Sequence, residues 1–95
     1  MANSTRRAPA TSATTPHGVE IGGGYFDEIE FVGEEEKGRN VITVIRARKG
    51  QTWVLRLQEW WPTPNGSWAP TKNGGISLPL DNPQLAEMVA KGFNE

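Results

Sequence analysis

The stretch "TWVLRLQEWW", residues 52–61, alternates without a break. Trp53, Leu55, Leu57, Glu59 and Trp61 fall on one side, and Val54, Arg56, Gln58 and Trp60 on the other. A strict period of two over this length reads as a β-strand, because a helix would scatter both sets around its axis. Turn chemistry brackets it, "KGQ" before and "PTPNGS" with its Asn-Gly after. A strand so bounded needs antiparallel neighbours joined by short connections, and that requirement organises the rest of the chain.

The neighbours are present. "VITVIRARK" is β-branched and then basic, with Ile42, Val44, Arg46 and Arg48 on one side and Val41, Thr43, Ile45 and Ala47 on the other. Its apolar end predicts core and its basic end predicts an open surface. "YFDEIEFVGEEE" sets Phe26, Glu28 and Glu30 against Asp27, Ile29 and Phe31, a strand with one acidic face, and "KGRN" is its turn. "SWAPTKNGGISL" predicts a fourth, irregular strand, since Pro70 and Gly74-Gly75 suit an edge or a bulge.

The last element has helical signals. Asn82 or Asp81 suits an N-cap, Pro83 the first helical position, and Gly92 the C-terminal cap. Leu85, Met88, Val89 and Phe93 form one apolar stripe. A helix this short is unstable alone in water, so the stripe must be covered by the sheet or by a second subunit. The expected fold is α+β, with a four-stranded antiparallel sheet followed by a C-terminal helix.

Residues 1–19, rich in Ser, Thr, Ala and Pro, have too little apolar surface to offset the entropy of ordering and predict a disordered tail. The glycine triplet in "IGGGYF" predicts a hinge, and the ordered domain is expected over residues 20–95. With 95 residues the chain allows one domain with a thin core. It has no cysteine, which excludes disulfides and thiolate zinc sites and fits a reducing, intracellular location. Neither a secretory signal nor an apolar run of membrane-spanning length is visible, so a soluble protein without membrane contact is expected.

Catalytic constellations are missing. The single histidine, His17, lies in the expected tail, "GGGYFDE" lacks the Lys and Ser/Thr of a phosphate loop, and "GEEEKGRN" reads as a solvated acidic run rather than a metal site. No enzyme, cofactor or metal is expected. Charge is more informative. The net charge is −1, yet residues 20–36 carry seven acids and no base, while the basic residues gather over 37–72. Arg46, Arg48, Lys49, Arg56 and Lys72 accompany Trp60, Trp61 and Trp68 there. Cations for phosphates and flat rings for unstacked bases are the two requirements of single-strand binding. The same residues also have structural readings. Opposite pleating puts one of Trp60 and Trp61 inside, with Trp60 the better core candidate; Trp53 reads as core beside Leu55 and Leu57; the basic strand end can be merely solvated.

A resemblance narrows these alternatives. "LRLQEWWPTPNGSWAPTKNGGISLPL", with Glu59, Trp60, Trp61, Asn65-Gly66, Pro70, Lys72 and Gly75-Ile76-Ser77-Leu78 ahead of the helix, resembles the single-stranded-DNA-binding domain of the transcriptional coactivator positive cofactor four family. "RARKGQTWVLRL" is similar to the hairpin that precedes it there, and the likeness spans about residues 41–93. It implies a curved four-stranded sheet, a homodimer formed through the helix by Leu85, Met88, Val89 and Phe93, and strand ridges where bases stack between cations. Trp61 matches a stacking position, and Lys49 and Lys72 match basic ones. The chain departs from the family at Arg48, where an aromatic is common, and at Gln58, where arginine is common. The expectation is a homodimeric protein that binds single-stranded DNA, with RNA not separated from it, in transcription, replication or recombination alongside proteins of those processes. Its nucleic-acid contacts are expected at Arg46, Arg48, Lys49, Arg56, Trp61, Trp68 and Lys72. The alternative is a protein-interaction module that docks a peptide on the Trp- and Pro-rich hairpin.

Overall fold

Four antiparallel strands in sequential order form the body of the protein in a computed structural model that describes residues 10–22 and 24–94. They are β3 (Glu28–Lys37), β4 (Asn40–Lys49), β5 (Thr52–Pro62) and β6 (Trp68–Pro79), followed by the helix α1 (Pro83–Phe93). Two shorter strands precede them, β1 (Ala13–Thr14) and β2 (Glu20–Ile21), which pair with each other as a small hairpin.

The sheet is a meander because its turns are tight. Lys37 pairs with Asn40, and Lys49 with Thr52, which leaves two-residue loops opened by Gly38 and Gly50. Both glycines adopt positive φ, 61° and 63°, as the first loop position of a right-twisted hairpin requires. Register then assigns the faces. Val41, Thr43, Ile45 and Ala47 of β4 share a face with Val54, Arg56, Gln58 and Trp60 of β5, and Ile42, Val44, Arg46 and Arg48 share the other with Trp53, Leu55, Leu57 and Glu59.

The β1–β2 hairpin closes the first of these faces. Val19 and Ile21 are buried with Ile29, Val41, Ile45 and Ala47, and Phe26, Val54, Trp60 and Trp68 pack around them. This corrects the expectation of a disordered tail over residues 1–19, of which 1–9 lie outside the described residues. Residues 10–19 order because Val19 is wholly buried and local bonds support the turn: Thr15 N–H donates to the Val19 carbonyl (2.9 Å), Gly18 N–H to the Thr15 carbonyl (2.8 Å), and Val19 N–H to Thr15 Oγ1 (3.1 Å). A further bond, from Ile29 N–H to the Ala10 carbonyl at 2.7 Å, ties the segment to β3. The domain therefore starts at least ten residues before Glu20.

Trp53 is also placed differently from the sequence reading. The closed face belongs to Trp60, whose Nε1–H donates to buried Thr43 Oγ1 at 2.9 Å. Trp53, Leu55 and Leu57 lie half-buried on the opposite, open face.

The helix begins as its sequence suggests: Asn82 caps it by accepting the Leu85 N–H (3.0 Å), and Pro83 follows. Its C-cap is Asn94 rather than Gly92. No residue of α1 is buried; Met88 and Phe93 are 63% and 85% exposed. Among the described residues, no helix is long and apolar enough to cross a membrane.

Candidate nucleic-acid interface

The ladder between β5 and β6 is broken beside the tryptophan pair. Gln58 pairs with Gly75 and Trp60 with Pro70, so Glu59 faces an arch of residues 71–74 on β6. Asn73 takes positive φ (63°) within it. The Glu59 carbonyl, displaced from the ladder, accepts Thr71 Oγ1 (3.2 Å) and Gln58 Nε2 (2.9 Å). Lys72 stands exposed on the arch. The Glu59 carboxylate receives Asn40 Nδ2 at 2.6 Å and Lys37 Nζ at 3.1 Å, and these two partners, Asn40 foremost, hold its pKa below the ordinary value.

After the bulge, Trp60 points to the hairpin face and Trp61, opposite by pleating, to the open face, 41% exposed. Arg46 and Arg48 lie on the open face with Trp61. Lys49, Arg56 and Trp68 do not: Lys49 follows Ala47 on the hairpin side with its Nζ over the Tyr25 ring (4.9 Å), Arg56 pairs across from Ile45, and Trp68 Nε1–H donates to the His17 carbonyl (3.1 Å). The seven residues expected to meet nucleic acid are thus divided between the two faces, with Lys72 at the arch on the sheet edge.

The acidic first strand changes the electrostatics of the open face. Glu28 lies across from Arg48 and Glu30 across from Arg46. Arg48 Nε contacts Glu28 Oε1 at 3.2 Å and its guanidinium reaches Asp27 at 3.9 Å, while Arg46 Nε stands 3.4 Å from Glu30 and over the Trp53 ring at 5.5 Å. The charge blocks that are separate in sequence are paired in space. Among the described residues, Lys49, Arg56 and Lys72 make no ion pair.

The helix stripe is divided as well. Leu85 and Val89 lean toward Leu55, Leu78 and Leu80 around a groove of about 250 Å³, while Met88 and Phe93 point away. Ile76 and Leu80, 54% and 39% exposed, add to them an apolar margin at the end of β6 and on α1.

Sequence reasoning missed the role of His17. Its ring binds two carboxylates, Glu34 Oε1 through Nδ1 (2.6 Å) and Glu36 Oε2 through Nε2 (2.9 Å), and its backbone N–H donates to Glu34 as well (2.9 Å). These bonds, Glu36 first, raise the His17 pKa above 6.5. Burial pushes Glu34 up, but the Thr15 hydroxyl and the His17 ring and backbone outweigh it and leave Glu34 below its ordinary value. The hairpin is therefore fastened to β3 by an imidazole ring between two carboxylates, an arrangement that favours its protonated form. No family model, no curated protein and no solved structure matches this chain.

Proposed function

We propose that the protein is a non-catalytic, sequence-tolerant single-stranded DNA-binding protein that acts as a homodimer through α1. One observation carries the reading: Trp61 presents an exposed ring on the open face, next to the arch that carries Lys72. The resemblance to the positive cofactor four family supports it, and implies in addition a curved sheet and a partner helix over the Met88 and Phe93 margin. On this reading the strand follows the open face, with bases on Trp61 and phosphates on Lys72, Arg46 and Arg48. Lys49, Arg56 and Trp68 are left to the other face. Arg46 must exchange Glu30 for phosphate, a small loss because exposed pairs are worth about 0–1 kcal/mol, while Arg48 must leave the partly buried Glu28.

Titration of oligo-dT and the matching duplex at two salt concentrations tests this. The single strand should quench tryptophan fluorescence and bind more tightly than the duplex. Trp61→Ala should weaken binding by about 1–3 kcal/mol with its salt slope unchanged, and Lys72→Ala should reduce the slope by about 0.7, the share of one phosphate. Salt-independent binding, or a folded Trp61→Ala variant that binds as tightly as the parent, overturns the proposal and favours a peptide ligand.

A further inference from the structure

The face opposite Trp61 is not completely filled by the hairpin. Between Ile21, Gly22, Tyr25 and Phe26 on one side and the sheet on the other lies a cleft of about 450 Å³, within the range of small-ligand sites. Its walls are mainly apolar, with Phe26 and Trp60 as the largest flat surfaces and Tyr25 at the mouth. Trp60 is held by its bond to Thr43, so this wall is pre-set.

One charge faces the space. Arg56 is the single ionisable group other than Tyr25 among the described residues that line the cleft, and no acidic residue does. Its partners are neutral: NH1 donates to Ser77 Oγ (3.1 Å) and NH2 to Gln58 Oε1 (3.0 Å). The contrast with Arg46 and Arg48, each against a glutamate, is direct. A guanidinium presents more N–H donors than these two bonds use, in a planar fork that suits carboxylate or phosphate. The backbone makes room for that fork. A Cβ at Gly75 would collide with Arg56 NH2 and Gln58 Oε1, so the glycine lets the guanidinium lie across β6.

We propose that this cleft binds a small ring-bearing anion, its carboxylate or phosphate on Arg56 and its ring between Phe26 and Trp60. A single cation in an apolar pocket is complemented by one anionic group on an apolar body, and a ligand without that group leaves the guanidinium without an ionic partner. Aryl carboxylates and nucleoside monophosphates share this chemistry. The site is independent of strand binding on the open face, so failure of oligo-dT to bind leaves it standing.

The test uses the full chain labelled with ¹⁵N and follows the indole N–H resonances of its four tryptophans, with Trp60 assigned through Trp60→Phe. The probes are 2-naphthoate and thymidine 5′-monophosphate, each beside its uncharged counterpart, 2-naphthamide and thymidine. At least one anion should shift the Trp60 resonance saturably, and its uncharged counterpart should bind about tenfold more weakly. Arg56→Gln should weaken the anion by about tenfold, the loss of one charge-assisted contact at roughly 1.4 kcal/mol. Gly75→Ala, which displaces the fork without removing it, should act in the same direction and serves if Arg56→Gln does not fold. Saturation by the naphthoate alone or by the nucleotide alone identifies which source of the anion the walls accept. The proposal falls if neither anion moves Trp60 saturably, or if the uncharged compounds or a folded Arg56 or Gly75 variant bind as tightly.

Discussion

Val19→Ala tests whether the N-terminal hairpin is part of the fold. Val19 is wholly buried against the sheet core, and the substitution removes two methyl groups. At about 0.8 kcal/mol for each buried CH₂-sized group the transfer loss is about 1.6 kcal/mol, and incomplete collapse of the space adds to it, for a total of about 2 kcal/mol. In a domain of this size each kcal/mol lowers the melting temperature by about 4–8 °C, so the midpoint should fall by about 8–16 °C. Val32→Ala is the matched control: the same atoms are removed from a side chain 56% exposed, and the expected change is within about 0.5 kcal/mol. Thermal unfolding by circular dichroism measures both. If the two variants melt together, within about 2 °C of the parent, the hairpin does not dock on the sheet in solution and the cleft beside it has no wall.

The clamp at His17 should make stability depend on pH from both sides. A raised His17 pKa means stabilisation fully present below its ordinary value of 6.5 and lost as pH rises through the elevated folded value; a lowered Glu34 pKa means stabilisation present above 4.5 and lost as pH falls through the depressed one. Melting temperatures of the parent and His17→Gln should therefore differ most between these limits and converge toward alkaline pH; a constant gap up to pH 9 would refute the imidazolium. Removing the competing carboxylates with Glu28→Gln and Glu30→Gln together should free Arg46, leave Arg48 only its longer contact to Asp27, and tighten oligo-dT binding; unchanged affinity would place the strand elsewhere. Light scattering at micromolar concentration should give twice 10.4 kDa, and Met88→Asp should abolish the association by forcing an unpaired charge into an apolar contact; a folded monomer for the parent refutes the dimer.

What could be read from the sequence was local. The alternation of residues 52–61, the glycines of "KGRN" and "KGQ", and the Asn82-Pro83 start all act within a few residues, and β4, β5, their turns and α1 follow them. The hairpin at residues 13–21 could not be read this way. Its two strands are two residues long, and what orders them is distant: Glu34 and Glu36, the Trp68 indole, and a sheet face that exists only after β3 to β6 assemble. A composition average over residues 1–19 dilutes Val19, the one core member among the described residues there. Trp53 was misplaced for a related reason. Alternation separates two faces but does not say which is covered, and here the cover came from the segment read as a tail.

The candidate site shows the same division between what spacing decides and what pairing decides. Pleating separates Trp60 from Trp61, and the structure bears that separation out, Trp60 against the hairpin and Trp61 in the open. Charge counted along the chain suggested an acidic block set apart from a basic, open strand end. Antiparallel pairing places those two blocks side by side, Glu28 against Arg48 and Glu30 against Arg46, so the cations of β4 arrive already matched. Of the expected contact residues, the cations without an ion pair among the described residues, Lys72 on the arch, Lys49 over Tyr25 and Arg56 in the cleft, occupy places that depend on a bulge, a loop ring and a glycine. An anion meets no paired carboxylate at these three, and they lie on different parts of the fold, two on the hairpin face and one at the sheet edge. Strand binding along Trp61 and small-anion binding at Arg56 are for that reason separable properties, each with its own ring and its own cation.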